Sequence, residues 1–312
     1  MPGEATVTQT VVPSTETVPF RFFPVTVARI ARLSPSFLRV TFTGDDLDKF
    51  ADNGFDQRCK LLLPLADCGL DHLPMGQDWY SEWRGLPAER QNPIRTYTVR
   101  RVRAHLNEVD VDMVLHGVSG PASRWAVEAG PGSTACLLGP NAEFAGPSGG
   151  IDFHPPVDTN RILLVGDETA VPAIASILAG LPAGMCGEAL LEVPESGDHL
   201  TLEAPAGVRI TWLPRDGAGH GVKLIPAVQA AAAHLLGDAA GATCADLEDV
   251  DVDAGLLWEV PDGTAATDGF YAWLAGEAAV IKTLRRHLVG TCGVDRRAVA
   301  FMGYWRLGRA EC

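Results

Sequence analysis

The sequence lacks the marks of several common protein classes. Its seven cysteines are scattered and form no Cys-x-x-Cys pair, so neither an iron–sulfur or zinc site nor a disulfide framework is predicted. No stretch reaches about 18 consecutive apolar residues, the length that spans a membrane. The first 20 residues have no basic start and no apolar core, so no secretory signal is predicted. Free thiols without such a signal favour a cytoplasmic location.

Basic residues are also scarce. The chain carries 25 Lys and Arg residues against 39 Asp and Glu residues, which gives a formal net charge of −14. A surface of this sign repels phosphate backbones, which argues against nucleic-acid and anionic-membrane partners but leaves room for a local basic pocket. With 312 residues, 46% of them hydrophobic, the chain is long enough for two domains with separate cores. A monomer is favoured.

The first half of the chain is predicted to be a small antiparallel β-barrel over residues 20–150, after a disordered tail over 1–19. Short β-rich runs with Pro and Gly turns predict strands over Phe23–Ile30, Phe37–Thr43, Lys60–Leu65 and Glu108–His116. The last of these alternates strictly between apolar and polar residues, which indicates a half-buried strand. Residues 66–92 are predicted to be a long loop on the barrel.

The second half, residues 151–312, is predicted to be a doubly wound α/β domain with a parallel sheet, because strands alternate with helices. The predicted strands are Arg161–Val165, Ala189–Val193, Val208–Leu213, Phe270–Ala275 and about Ala298–Tyr304. Helices are predicted to about residue 179, near 223–236, and to about Val289. The acidic, Gly- and Ala-rich segment 238–268 indicates a flexible insertion.

Three weak motifs mark the barrel half. In Arg95-Thr96-Tyr97-Thr98, expected at the end of a strand, the guanidinium suits a phosphate and the Tyr ring suits a planar heterocycle. The alternative is an edge-strand Arg beside a core Tyr. In Gly120-Pro121-Ala122-Ser123-Arg124-Trp125 a helix start offers backbone N–H groups to a pyrophosphate, although Ser123 is alternatively a simple helix cap. The third motif, Gly139-Pro140, follows an apolar strand.

Two loops of the α/β half follow strands, where open parallel sheets bind ligands. In Gly166–Thr169, Thr169 can cap a helix or touch a nicotinamide, while Asp167 and Glu168 are expected to face away from a pyrophosphate or to cap helix N–H groups. In Ala275–Ala278, Glu277 is either a cofactor contact or a helix-start carboxylate. Neither loop is a G-x-G-x-x-G fingerprint.

If the sheet edge binds a nicotinamide nucleotide, the charges near the predicted second and third strands bear on whether it is NADH or NADPH. Glu192, Glu195 and Asp198 make the expected adenosine end acidic, which favours NADH slightly over NADPH. Arg215 is the residue expected to bind a 2′-phosphate if one is present. Trp305, at the end of the last strand, is either a cofactor contact or a core aromatic.

The order of these motifs, before an α/β domain, resembles the ferredoxin reductase-like superfamily. The pieces that narrow the resemblance are His116-Gly117, GPASRWA (120–126), GDETAVPAI (166–174), WLAGEAAVIKTLRRHL (273–288) and GYWRLG (303–308). They resemble the siderophore-interacting protein family, the FAD-dependent ferric-siderophore reductases, over about residues 20–309. The long tail and the 238–268 insertion depart from the family pattern without disturbing a motif.

The resemblance implies FAD, NADH or NADPH as the donor, and a ferric siderophore as the acceptor, with Fe(II) as the product. The implied cofactor-binding residues are Arg95, Thr96, Tyr97, Thr98, His116, Gly117, Gly120, Ala122, Ser123, Trp125, Asp167, Thr169, Ala170, Arg215, Gly276, Glu277 and Trp305. It also suggests a basic groove for the siderophore, made by Lys60, Arg124 and Arg306. No catalytic dyad and no metal ligands are assigned.

Several alternatives remain open. His116 is alternatively a strand-end histidine bonded to backbone. Lys60 is alternatively a barrel-surface cation, Arg124 a phosphate ligand and Arg306 a solvated strand end. The function is alternatively that of a general flavin or ferredoxin-type NAD(P)H reductase, or of a flavin-containing siderophore-binding protein with little reductase activity.

Overall fold

The structure is a computed structural model that describes residues 17–115, 120–237, 257–264 and 268–308. Among these residues, no helix is both long and apolar enough to cross a membrane. The fold consists of a closed barrel followed by a six-stranded sheet with helices on both faces, as the sequence predicts.

Six antiparallel strands close the barrel in the order β1-β2-β5-β4-β3-β6. They are β1 (Phe20–Arg32), β2 (Phe37–Thr43), β3 (Arg58–Leu62), β4 (Ile94–Arg103), β5 (Glu108–Val114) and β6 (Thr134–Pro140). The long first strand closes the barrel, because its first half pairs with β6 and its second half pairs with β2. Two helices accompany the barrel: α1 (Trp79–Gly85), inside the segment predicted to be a loop, and α2 (Pro121–Glu128).

Strand β5 alternates as predicted, but both of its faces are buried. Val109, Val111 and Met113 lie in the barrel core. Asp110 and Asp112, on the opposite face, are also buried, because arginines from neighbouring strands cover them. The polar side chains of β5 therefore form ion pairs instead of facing solvent. The predicted strand and its alternation are confirmed, but the prediction that one face is exposed was wrong.

The sheet has the order β10-β12-β11-β7-β8-β9. Its strands are β7 (Arg161–Gly166), β8 (Cys186–Val193), β9 (Gly207–Pro214), β10 (Trp258–Glu259), β11 (Phe270–Glu277) and β12 (Val299–Trp305). The pairings among β7, β8, β9, β11 and β12 are parallel, as predicted, while the two-residue β10 adds an antiparallel edge. The edge strand falls within the segment predicted to be an insertion, most of which lies outside the described residues.

Three helices cover the sheet: α3 (Val171–Gly180), α4 (Leu224–Leu236) and α5 (Ala278–Arg285). Helix α3 packs in the hydrophobic cluster on one face, and α4 and α5 pack in the cluster on the other. This is the doubly wound arrangement that places the carboxyl ends of β7, β11 and β12 at one open edge.

The two parts of the fold are bound to each other by buried contacts. Phe37, the first residue of β2, lies in the hydrophobic core of the sheet and is fully buried. The buried carboxylate of Asp198 accepts hydrogen bonds from the Ser34 and Ser36 hydroxyls at 2.6 and 2.8 Å and from the Ser36 N–H at 2.7 Å. These contacts join the β1–β2 turn to the segment after β8.

Candidate functional site: a flavin-type barrel facing a nucleotide-type sheet edge

The first predicted motif lies near the start of β4, not at the end of a strand. Arg95 is half-buried, and its Nη1 donates to the carbonyl oxygen of the adjacent Ile94 at 2.7 Å. No carboxylate among the described residues lies within ion-pair distance of Arg95. Tyr97, two residues on and therefore on the same face of the strand, packs against the barrel core. Arg95 thus keeps an uncompensated positive charge beside a partly buried aromatic ring.

The opposite face of β4 carries Thr96 and Thr98. Thr96 is exposed and Thr98 is buried. Lys60 on β3 lies directly across from Thr96, and its Nζ donates to the Thr96 hydroxyl at 3.5 Å. Burial and the neighbouring Arg58 lower the pKa of Lys60. Lys60 also has no carboxylate partner among the described residues.

The second motif forms the start of α2. Gly120 is the N-cap residue, Pro121 follows it, and no side chain caps the helix, so Ser123 lies in the first turn and is not the cap. The Arg124 N–H donates to the Gly120 carbonyl at 3.0 Å. Pro121 has no N–H, and the N–H groups of Ala122 and Ser123 have no acceptor among the described residues, as an anion site requires.

The side chains of α2 serve the barrel. Ala122 and Ala126 belong to the barrel core, and the Trp125 ring stacks on Phe42 with centroids 6.1 Å apart. Their packing makes Ala122 and Trp125 residues that orient the helix, whereas the sequence assigned them to the cofactor. Arg124 is exposed and has no carboxylate partner among the described residues.

These barrel residues fit FAD. Tyr97 and α2 both contact the core cluster of the barrel. An unpaired guanidinium and free N–H groups match a pyrophosphate, and a half-buried aromatic ring matches a planar ring system. The predicted residues His116 and Gly117 lie outside the described residues.

At the carboxyl edge of the sheet, the Asp167 carboxylate accepts hydrogen bonds from several strand ends. Its Oδ1 accepts the Thr169 N–H at 2.9 Å and the Thr169 hydroxyl at 2.5 Å. Its Oδ2 accepts the Glu277 N–H and the Trp305 Nε1–H, both at 2.8 Å. Burial and the Glu168 carboxylate raise the pKa of Asp167 to about 7, against the lowering effect of its hydrogen bonds. The carboxylate joins the ends of β7, β11 and β12, a role that the sequence only partly anticipates.

Two assignments at this edge need correction. Thr169 donates to Asp167 instead of capping α3, whose N-cap residue is Ala170. The Glu277 carboxylate accepts the N–H groups of Ala279 and Val280 at 2.8 and 3.0 Å. Glu277 is therefore the helix-start carboxylate of α5, which is the alternative that the sequence left open.

Gly276 is required by the close approach of these strands. Its φ is 151°, and a Cβ at this position would lie 2.6 Å from Asp167 Oδ2. A side chain there would displace the carboxylate, so Gly276 acts by leaving room for Asp167.

The assignment of Arg215 to a 2′-phosphate is wrong. Both of its Nη atoms donate to the Glu168 carboxylate at 2.6 Å, and Arg215 and Glu168 are both buried. Glu192 lies 3.6 Å from Arg215 and accepts the N–H groups of Gly221 and Leu224. Arg215 is therefore the counter-ion of two buried acids.

The acids that favoured NADH are engaged in the same way. Glu192 and Asp198 are buried and bind backbone and serine groups, and only Glu195 is exposed. The charge argument for a nucleotide preference accordingly loses its basis.

Tyr304, the residue before Trp305 in β12, lies on the side of the sheet that meets the barrel strand β3. Tyr304 stacks on Trp258 with centroids 5.7 Å apart, and the Arg58 guanidinium lies 4.8 Å from the Trp258 ring. The Trp258 contact was not predicted, because the residue lies in the presumed insertion. Arg306 is half-buried and has a partner of its own.

Oxygen and nitrogen atoms of Asp167, Glu168 and His220 lie within 4.8 Å of one another, a spacing compatible with a cation. Both carboxylates already bind other groups, Asp167 four donors and Glu168 the Arg215 guanidinium. We therefore interpret this cluster as a structural hydrogen-bond and ion-pair network and not as a metal site.

A closed antiparallel barrel with an anion-accepting face, followed by a doubly wound sheet with an open carboxyl edge, defines a ferredoxin reductase-like flavoprotein. Residues 26–144 match the siderophore-interacting FAD-binding domain and residues 159–308 match the siderophore-interacting protein model. The chain therefore belongs to the siderophore-interacting protein family, and the predicted family, fold and FAD cofactor are confirmed.

Named relatives cover the whole length of the fold. The chain is 30% identical to the ferric vibriobactin reductase of Vibrio cholerae, over 89% of this chain and 87% of the relative. It is 26% identical to the NADPH-dependent ferric-chelate reductase of Escherichia coli, over 91% and 93%. The crystal structure of a siderophore utilization protein from T. fusca matches with a TM-score of 0.69 and 29% identity, over 95% and 96% of the two chains.

Proposed function

We propose that the protein is a cytoplasmic NAD(P)H- and FAD-dependent oxidoreductase that reduces siderophore-bound Fe(III) and releases Fe(II). One hydride supplies two electrons, so each NAD(P)H oxidised reduces two ferric ions. Siderophores hold iron through hard oxygen ligands, which bind Fe(II) much more weakly than Fe(III), so reduction releases the metal. The five described cysteines are free, as expected in a reducing compartment.

The observation that carries this proposal is a set of basic side chains that form no ion pair with a carboxylate among the described residues. The chain has a net charge of −14, yet Lys60, Arg95 and Arg124 have no carboxylate partner among the described residues. In an acidic protein, cations left unpaired on one domain create a local positive field that attracts anions. Phosphates of a cofactor and an anionic iron chelate are the two kinds of anion that this activity requires.

The barrel residues hold the flavin in this proposal. Arg95 and the N–H groups at the start of α2 bind the pyrophosphate, and Tyr97 lies against the ring. Thr96 and Thr98 lie on the opposite face of β4, and in this proposal their hydroxyls donate hydrogen bonds to the edge of the flavin ring. When bound, FAD supplies the conversion of a hydride into single electrons, which side chains cannot perform.

The nicotinamide nucleotide binds at the carboxyl edge of the sheet, above Gly166, Ala170 and Gly276. Gly166 and Gly276 are themselves buried, because Ala170 and Asp167 fill the space beside them. Since Arg215 and the neighbouring acids are engaged in buried contacts, they do not select between NADH and NADPH. Lys60, Arg124 and Arg306 attract the ferric siderophore.

A charge reversal tests the siderophore groove. Lys60→Glu is expected to raise the KM for a ferric siderophore about tenfold, because an attractive charge becomes a repulsive one in a partly desolvated position. FAD content, measured by absorbance, is expected to stay unchanged. The effect should shrink as ionic strength rises.

Lys49→Glu is the matched control, since it changes the net charge equally in the same domain. Lys49 already pairs with Asp46 at 2.9 Å, and its side chain is 34% exposed. An equal rise in KM for both variants would show that overall charge is responsible, and would remove the groove from the proposal.

Anaerobic stopped-flow absorbance tests the activity itself. Protein reduced by NADH or NADPH is mixed with the iron complex of a catecholate or of a hydroxamate, and a ferrous chelator reports the product. We expect rapid flavin reoxidation together with Fe(II) formation in at least one combination. Flavin that neither nucleotide bleaches would instead indicate a siderophore-binding protein.

A further inference from the structure

Trp305 is held in place by a buried carboxylate. Its indole Nε1–H donates to Asp167 Oδ2 at 2.8 Å, across a sequence separation of 138 residues. The same oxygen accepts the Glu277 N–H, and the other oxygen is engaged by Thr169. The carboxylate is thus oriented from both sides, by its own loop and by the end of β11.

A second contact fixes the ring. The His220 imidazole meets the Trp305 ring edge to face, with centroids 4.8 Å apart and planes at 76°. The His220 Nδ1 lies 4.0 Å from Glu192, which in turn is bound to backbone N–H groups before α4. The indole is therefore held between the Asp167 carboxylate, which accepts four hydrogen bonds, and the His220 ring, whose buried Nδ1 has no hydrogen-bond partner among the described residues.

We propose that Asp167 is a positioning residue whose carboxylate fixes the Trp305 indole at the carboxyl edge of the sheet. The inference rests on the proposed function, because the position of Trp305 affects a reaction only if nucleotide and flavin meet at this edge. Asp167 acts through Trp305 and need not touch either cofactor.

Protonation controls the contact. Two backbone N–H groups and two side-chain groups donate to Asp167, and an ionised carboxylate can accept all four of these hydrogen bonds. A protonated carboxyl group must turn one oxygen into a donor, which opposes a neighbouring N–H or O–H. The charged or titratable groups near Asp167 on the surrounding elements are Glu168, Arg215, His220, Glu277 and Tyr304.

The sign of the pH dependence follows from the pKa. Because the pKa of Asp167 is raised to about 7, the carboxylate forms only as pH rises through neutrality, and the Trp305 contact strengthens in the same range. The contribution of Asp167 to the free energy of unfolding falls as pH rises. The folded state binds the Asp167 proton more tightly than the unfolded state does, and this advantage is lost when the proton leaves.

The first readout needs neither nucleotide nor iron. The holoprotein is labelled with ¹⁵N-tryptophan, and the indole resonance of Trp305, among seven tryptophans, is assigned by its absence in Trp305→Phe. We expect this resonance to titrate near neutral pH in the parent and to lose the titration in Asp167→Asn. A Trp305 resonance that responds equally in both proteins would overturn the proposal.

The second readout is flavin reduction by NAD(P)H, measured with FAD content alongside. Asp167→Asn is expected to slow reduction about tenfold or more, the effect of a misplaced group at a reacting pair, with FAD content unchanged. Because Asp167 acts through Trp305, the double variant Asp167→Asn/Trp305→Phe should be no slower than Trp305→Phe alone. Additive losses would overturn the proposal.

Asp198→Asn is the matched control. Asp198 is also a buried aspartate that accepts several hydrogen bonds, but it binds the β1–β2 turn. Its substitution is expected to leave the Trp305 resonance and its titration unchanged. If Asp167→Asn does not fold, Trp305→Phe still decides the matter. The parent's rate of flavin reduction should change near neutral pH as Asp167 titrates, and Trp305→Phe should abolish this change. A parent that NAD(P)H does not reduce contradicts the proposed function, whatever the resonance shows.

Discussion

An Arg95→Ala variant is expected to bind FAD roughly 10- to 100-fold more weakly than the parent and to be nearly colourless after purification. A hydrogen bond to a charged group contributes about 1.5–3 kcal/mol, and each 1.4 kcal/mol is about a tenfold change in affinity. Arg95 has no carboxylate partner among the described residues, so its removal breaks no ion pair of the protein. The measurements are the FAD dissociation constant and the unfolding midpoint of the apoprotein.

Arg101→Ala is the matched control, since Arg101 is an exposed arginine on the same strand. It is expected to retain the parent's yellow colour and dissociation constant. If Arg95→Ala holds FAD as tightly as Arg101→Ala does, the flavin is bound elsewhere and the assignment of the Arg95–Thr98 motif fails.

Arg215→Met is expected to lower the free energy of unfolding by about 3–5 kcal/mol, the cost of removing one partner of a buried ion pair. The loss is large because Glu168 is fully buried and Glu192 lies close by, so two acids would lose their counter-ion. Urea unfolding followed by tryptophan fluorescence measures the change.

A pair of the same length with an exposed arginine provides the comparison. Arg209 and Glu188 are also 2.6 Å apart, but the Arg209 side chain is 66% exposed while Glu188 is buried. Arg209→Met should cost less than Arg215→Met, because water solvates the exposed guanidinium and weakens its pairing. The double variant Glu168→Gln/Arg215→Met should recover much of the loss, because no charge is then left without its partner. A small effect of Arg215→Met alone would contradict the buried ion pair.

The sequence predicted the fold well because the relevant signals are local. Apolar runs followed by helical patterns predicted the parallel strands Arg161–Gly166 and Phe270–Glu277 to within two residues. Helix α1 was missed because none of its residues is buried, so it has no continuous apolar stripe for a periodicity to reveal. The antiparallel strand Trp258–Glu259 was missed because two residues carry no period.

The site was predicted less well, since its contacts join distant parts of the chain. Arg215 was assigned to a phosphate because a cation after the third strand suits one, and nothing local indicates that Glu168, 47 residues earlier, engages it. The Trp305 assignment placed the ring at the correct edge, but its hydrogen bond to Asp167 depends on the register of β7, β11 and β12. Residue type therefore predicted the edge of the sheet, while tertiary pairing decided which charges remain available.

The burial of Phe37 within the sheet's own core has a practical consequence for protein engineering. A barrel expressed alone would expose a phenyl ring, and a sheet expressed alone would contain a hole of the same size. A chimaera that grafts this barrel onto another reductase's nucleotide half therefore needs a receiving pocket for the ring and a carboxylate in place of Asp198. An exchange of the two halves of this chain therefore has to preserve the Phe37 and Asp198 contacts, and a cut at the linker near residue 150 alone is not enough.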